Sequence, residues 1–183
     1  MKNFDRPTLV VFKGMPGTGK STLARALHEQ TGWTLFVRDE IKEQLIANGA
    51  KEVGMKSHRI MWDEAERALR VEDYFICDTN LNQRVVLDDL REFKTKTRSE
   101  ILIIECIAEE NIIKSRLERR KDKGLMSFWI DSWEKYQHYK ESEKNQGDFE
   151  LPYPRLEVNT GKKVVLDEVI RWVEGFSPKK ENL

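Results

Sequence analysis

Gly14-Met15-Pro16-Gly17-Thr18-Gly19-Lys20-Ser21 interrupts an otherwise regular alternation of apolar and charged stretches, and its reading decides the fold. The spacing is G-x-x-x-x-G-K-[ST]. Glycines at 14, 17 and 19 let the backbone curl so that successive N–H groups converge on one point, a nest for phosphate oxygens. Upstream, Thr8 to Lys13 (TLVVFK) reads as a short strand. Downstream, Ser21 to Gln30 reads as a helix with Leu23 and Leu27 on one face and Gly32 as its stop. Strand, glycine-rich turn and helix in that order are the context the motif requires, and the helix turns its positive dipole end toward the turn. The reading assigns Gly14, Pro16, Gly17, Thr18, Gly19, Lys20, Ser21 and Thr22 to a nucleotide's phosphates. Lys20 reaches the β- and γ-phosphates and the Ser21 hydroxyl takes Mg²⁺.

Outward from that point the pattern keeps alternating. Trp33 to Val37 reads as a second strand and Asp39 to Ala47 as a helix with Ile41 and Leu45 stacked and Gly49 beyond. Met55 to Val71 is a long charged helix with a partial apolar face of Ile60, Ala65 and Leu69. Tyr74 to Cys77 is a third strand, and Asn82 to Phe93 a helix presenting Val86, Leu90 and Phe93. Ile101 to Cys106 is almost wholly apolar, as a central parallel strand covered on both faces must be. Glu109 to Arg120 carries acid at its start and base at its end, which suits a helix dipole. Phe128 to Ser142 reads as a helix, Leu156 to Val158 as a fifth strand, and Val165 to Val173 as a last helix with Leu166, Val169, Ile170 and Val173 inward. Alternation of this kind predicts an α/β fold with a mostly parallel sheet.

The chain has 183 residues, which at roughly 150 per domain predicts one domain, over 1–176, with a lid at about 116–130 and a polar tail at 177–183. Lys plus Arg total 32 and Asp plus Glu total 32, so the formal net charge is zero and a broad basic coat for nucleic acid is excluded. No apolar run approaches the roughly 20 residues that span a bilayer, and Met1 to Phe12 has no signal-peptide core, so a cytoplasmic protein is expected. Cys77 and Cys106 sit in separate apolar runs and read as buried thiols. His28, His58 and His138 are too far apart for a metal spacing, and no catalytic histidine is expected.

A phosphate cradle names a nucleotide and leaves the reaction open. A motor-type ATPase carries Asp-Glu at the end of an apolar strand, whereas here the place reads Ile76-Cys77-Asp78-Thr79-Asn80. A Ras-like GTPase requires Asn-Lys-x-Asp, which the chain lacks. A kinase requires a carboxylate near the γ-phosphate, and Asp39 follows the second strand, at the sheet end where the phosphate turn opens. Asp39 is therefore a candidate base for an attacking hydroxyl; the competing role is the cap of the helix that follows. Arg116, Arg119, Arg120, Lys121 and Lys123 form a basic run that reads either as a lid over the triphosphate or as a solvated helix end. Trp129, Trp133, Tyr136 and Tyr139 either stack single-stranded bases or pack a helix on the core, the second being the commoner outcome.

Four blocks resemble the AAA-type group of P-loop kinases that includes the 5′-kinase domain of phage-type polynucleotide kinases, with zeta-toxin and antibiotic-phosphotransferase kinases as relatives. They are Gly14 to Thr22; Val37-Arg38-Asp39-Glu40-Ile41-Lys42, similar to R-D-x-x-R; Asp78-Thr79-Asn80-Leu81-Asn82; and Arg116-Leu117-Glu118-Arg119-Arg120, similar to a lid-helix R-x-x-x-R. The resemblance implies a P-loop fold with five parallel strands in the order 2-3-1-4-5 and a small helical lid. It implies an ATP-dependent kinase with Mg²⁺, Lys20 and Ser21 on the phosphates, Asp39 as base and Arg120, or Arg119, as the lid arginine. It implies that Arg116 and Thr160 border the adenine and that Arg38, Lys42, Asp78 and Asn80 line the acceptor channel. The implied acceptor is first a polynucleotide 5′-OH, then a sugar, nucleoside or antibiotic; a nucleotide-binding ATPase module without acceptor is the other class. Lys42 stands where the group has arginine, which keeps the charge and loses the bidentate fork.

Overall fold

A computed structural model describes residues 6–69, 74–81, 84–121, 130–144 and 151–176. Five parallel strands, β1 (Thr8–Lys13), β2 (Thr34–Val37), β3 (Tyr74–Asp78), β4 (Glu100–Ile107) and β5 (Arg155–Asn159), form one sheet in the order β2-β3-β1-β4-β5. The strand order and the P-loop architecture are those that the family resemblance implies. Val10 of β1 is in register with Ile76 of β3 and Leu102 of β4, so the three central strands present matched apolar rows.

Alternation along the strands divides those rows between two faces. Leu9, Val11, Phe75, Cys77, Ile101 and Ile103 point to one side, which α3 (Val53–Ala68) and α4 (Arg84–Thr97) cover with Met61, Trp62, Ala65, Leu90 and Phe93. Val10, Phe12, Ile76, Leu102, Ile104 and Cys106 point to the other, covered by α1 (Lys20–Thr31) and α7 (Leu166–Gly175) through Leu23, Leu27, Val169 and Val173. The two cysteines are thus buried on opposite faces of the sheet. A third, smaller cluster joins α5 (Glu110–Lys121) to α6 (Trp133–Lys144) through Ile113, Leu117 and Tyr136.

Several elements differ from their sequence reading. The inward face of α3 is Ser57, His58, Met61, Trp62 and Ala65, rotated from the expected Ile60–Ala65–Leu69 line. Two polar residues belong to that stripe, and an apolar count overlooks them. Helix α4 runs on to Thr97, past the expected end at Phe93; Thr95 and Thr97 return their hydroxyls to backbone carbonyls one turn earlier. Helix α6 starts at Trp133 and not at Phe128, because Ser132 acts as its cap, its Oγ accepting from the Lys135 N–H at 3.3 Å. Phe128 and Trp129, most of the expected lid (122–129) and the polar tail fall outside the described residues. No helix among the described residues is long and apolar enough to cross a membrane.

Candidate active site

The turn after β1 is built as its glycines require. Gly14, Gly17 and Gly19 have φ of 143°, 85° and 85°, values that side chains resist. At Gly14 there is also no room: a Cβ would lie 2.4 Å from the Cys106 carbonyl oxygen. Thr18 tightens the turn, its hydroxyl donating to the Met15 carbonyl at 2.7 Å. Lys20 opens α1 and folds back, its Nζ donating to the carbonyls of Gly14 at 2.7 Å and Met15 at 3.1 Å. Burial lowers the Lys20 ammonium from its usual range, while Asp78 opposes that shift.

Asp78 ends β3, one strand away from β1, and is buried. Burial raises its carboxyl above the usual carboxylate range; a hydrogen bond from the Ser21 hydroxyl and the charge of Lys20 pull it back. Hydroxyl and carboxylate oxygens side by side at a helix start are the hard donor set that suits Mg²⁺. The next residue, Thr79, points its hydroxyl at His58 Nδ1, 3.3 Å away in the core. His58 stays neutral, pushed down to about 3 first by burial and then by Arg38 and Lys42.

Helix α2 (Arg38–Ala47) begins directly from β2. Val37 occupies the cap position with no side-chain bond, so Asp39 is the second helical residue and not the cap. The capping role that competed for Asp39 is therefore corrected: its carboxylate, half-exposed, is directed into the site, with Arg38 Nη1 3.9 Å away. Lys42, one turn on, is buried, and burial lowers its ammonium.

From the far side of the sheet, α5 delivers two arginines with different duties. Arg116 Nη1 donates to the Gly17 carbonyl at 3.2 Å and to the Thr160 hydroxyl at 2.9 Å, and Nη2 to the Thr160 carbonyl at 2.7 Å. The Thr160 hydroxyl in turn donates to the Thr18 carbonyl. Arg116 and Thr160 thus brace the outside of the phosphate turn. Arg120, one turn later, enters the cleft, where burial lowers its guanidinium and Asp39 opposes that shift. Arg119 is exposed and donates to Ser115 on its own helix.

These groups meet in a cleft of about 810 Å³ whose walls include Pro16, Gly17, Gly19, Lys20, Ser21, Arg38, Asp39, Lys42, Asp78, Asn80 and Arg120. A side crevice of about 590 Å³ runs past Thr22, Arg116, Arg119, Thr160, Val164 and Leu166. Every candidate site residue from the sequence therefore borders one of two adjoining hollows, except Gly14 and Thr18, which are buried beneath the turn. The cleft's opposite wall was not foreseen. It is the face of α6 carrying His138, Tyr139 and Ser142, and the Asn80 amide donates to the Tyr139 hydroxyl at 2.6 Å. Trp133 and Tyr136 instead stack on each other, centroids 5.0 Å apart, in the α5–α6 cluster.

Among solved structures, the fold is similar to that of a protein from Chloroflexus aurantiacus provisionally named a kinase, with TM-score 0.76 and 22% identity over 92% of this chain and 97% of that one. It is also similar to a sugar kinase from Janibacter, with TM-score 0.62 and 15% identity over 93% and 94% of the two chains. A gluconokinase from Sinorhizobium meliloti aligns with TM-score 0.55 and 17% identity over 92% and 90%. No curated protein matches the chain in sequence. The profile of the family described as AAA domain matches residues 9–136, from the first strand through the phosphate turn, both aspartates and the arginine helix, and the chain belongs to that family.

Proposed function

We propose that this protein is an ATP-dependent phosphotransferase that moves the γ-phosphate to a hydroxyl of a small molecule. The observation that carries it is the pair of aspartates in one cleft: Asp78 is buried and bonded to Ser21 beside Lys20, while Asp39 is half-exposed and free of a capping duty. One carboxylate suits the metal side and the other the acceptor side. In this reading Lys20 and the turn's N–H groups hold the phosphates, and Ser21, with Asp78 behind it, would hold Mg²⁺. The ion would supply charge neutralisation between the β- and γ-phosphates. Asp39 takes the proton of the acceptor hydroxyl, whose oxygen bonds to the γ-phosphorus as the bond to the β,γ-bridging oxygen breaks. Lys20 and Arg120 face the charge that builds on the transferring group and on the departing ADP. The side crevice between Arg116, Thr160 and Leu166 suits the base and ribose of ATP.

The cleft volume falls within the roughly 300–1,000 Å³ of small-molecule sites, and the sugar kinase and gluconokinase of like fold support an acceptor of that size. A polynucleotide 5′-OH, the acceptor expected first, finds less support. Single-strand binding rests on exposed aromatic faces, and Trp133 and Tyr136 stack on each other and pack into the α5–α6 cluster. An ATPase module is disfavoured because Thr79, where a water-orienting glutamate would stand, turns to His58 in the core. The test is incubation with γ-labelled ATP, Mg²⁺ and a panel of polyols, sugar acids, nucleosides and 5′-OH oligonucleotides. Label on a small hydroxyl compound is the expected result; label on the oligonucleotides alone, or ATP consumed with no acceptor labelled, refutes this function.

A further inference from the structure

At the amino ends of the strands, opposite the phosphate turn, a separate hollow of about 410 Å³ collects positive charge from three stretches of chain. Arg6 precedes β1, Arg91 and Lys94 lie on α4 with Arg98 just past its end, and Tyr153 precedes β5. Backbone bonds hold the stretches together: the Glu100 N–H donates to the Pro7 carbonyl at 2.8 Å and the Ile103 N–H to the Pro154 carbonyl at 2.9 Å. Lys94 Nζ stands 5.1 Å from the centre of the Tyr153 ring. Among the described residues no carboxylate lines this hollow. Arg91 is paired with Asp88 at 2.9 Å, but among the described residues no ion pair engages Arg6, Lys94 or Arg98. In a chain with 32 residues of each sign, that is a local segregation of charge.

Basic residues complement the negative end of a helix dipole. That accounts for Lys94 and Lys96, but neither for Arg6, which comes from another element, nor for the backbone of Arg98. Arg98 is held at φ 57°, its N–H donating to the Lys94 carbonyl at 2.8 Å. Glycine ordinarily closes a helix in that left-handed conformation, so an arginine takes the place against the backbone's preference, and what it brings is a guanidinium. We propose that this hollow is a binding site for a compact polyanion carrying several phosphate groups. Arginine forks match phosphate oxygens in pairs, and clustered phosphates supply dense negative charge for four cations. The volume lies within the range of small-molecule sites, roughly 300–1,000 Å³. A long strand or an anionic membrane fits less well, because the neighbouring hollow between α3 and α4 is lined by Asp63, Glu66, Asp89 and Glu92, which repel it.

The full chain, loaded with Mg²⁺ and one equivalent of a non-hydrolysable ATP analogue to fill the phosphate turn, is titrated calorimetrically with inorganic tripolyphosphate. Saturable one-to-one binding is expected, weakened about 10-fold in each of Arg6→Gln, Lys94→Gln and Arg98→Gly through loss of a charge-assisted hydrogen bond. Lys96→Gln should change it by less than about twofold, because that exposed lysine is already paired with Glu92 at 3.0 Å. Arg98→Gly should melt no lower than the wild type, since glycine adopts the left-handed conformation without strain; its loss of binding is then not a loss of fold. No saturable binding to the wild type overturns the proposal. So does binding that Arg6→Gln, Lys94→Gln and Arg98→Gly all leave unchanged, which would put the tripolyphosphate in the phosphate turn. A single-stranded oligonucleotide, or phosphatidylcholine vesicles containing phosphatidylserine, held more tightly than tripolyphosphate through the same residues would overturn the compact polyanion as the ligand.

Discussion

Asp39 shows how one helical position separates the proposed base from a helix cap. An aspartate before a helix ordinarily caps it, but the helix opens one residue earlier, at Arg38, and Val37 takes the cap position. Asp39→Asn should therefore leave the melting temperature nearly unchanged, apart from a small loss of first-turn dipole stabilisation. It should lower transfer by about 100- to 10,000-fold, the range for a positioned base, with ATP binding retained. Steady-state transfer and nucleotide titration on the same preparation check this, and wild-type turnover in the variant would remove Asp39 from the chemistry. The two lid candidates separate in the same way. Arg120 lines the cleft and Arg119 bonds its own helix, so Arg120→Ala should cut kcat by about 100-fold. Arg119→Ala should change it by less than about threefold, as expected of an exposed intrahelical contact. Equal small effects would assign Arg119 and Arg120 to a solvated helix end.

Between elements, the phosphate turn is held from both sides. Beneath it lies the β4 backbone, close enough that a methyl at position 14 meets the Cys106 carbonyl at 2.4 Å. Above it, Arg116 and Thr160 clasp the carbonyls of Gly17 and Thr18. Gly14→Ala must therefore push the turn off β4 in addition to adopting a φ of 143°. A loss of about 2 to 4 kcal/mol in unfolding free energy is expected, the sum of backbone strain and overpacking, together with loss of nucleotide binding. Denaturant unfolding measures the first and nucleotide titration the second; native stability in the Gly14→Ala variant would show that the close approach is not rigid.

At the scale of the whole molecule, acid stability reports on the core beneath the site. His58 is pushed down to about 3 in the fold against an ordinary 6.5. Between those values the unfolded chain binds a proton that the folded chain refuses, so stability falls as pH falls from 6.5 toward 3. Asp78 works the other way: with its carboxyl raised, the stabilisation from its bound proton is lost as pH rises through its folded value. Comparison with His58→Gln cancels the Asp78 contribution. Relative to that variant, the wild type should lose about 2 to 3 kcal/mol between about pH 6.5 and about pH 4.5. Chemical unfolding at the two pH values checks it, and parallel curves for the two proteins would mean that His58 protonates freely in the fold.

Local physics was legible in the residues alone. The glycine spacing from Gly14 to Gly19 admits one backbone path, and the apolar runs admit a covered parallel sheet, so the fold and the phosphate cradle could be read without coordinates. The place of Asp39 after the second strand made it a candidate base, and the resemblance of four blocks added the strand order. Packing alone settled which side chains share a cleft. Tyr139 meets Asn80 across 59 residues, and His58 backs Arg38 and Lys42 from a helix whose apolar pattern pointed elsewhere. Neither leaves a periodic signal, because a site wall is set by where separate helices dock. The readings that were corrected follow the same logic: the start of α6 was fixed by the Ser132 cap, and the capping role of Asp39 was removed by a helix that began one residue before it, both local hydrogen-bonding choices that the packed chain resolves.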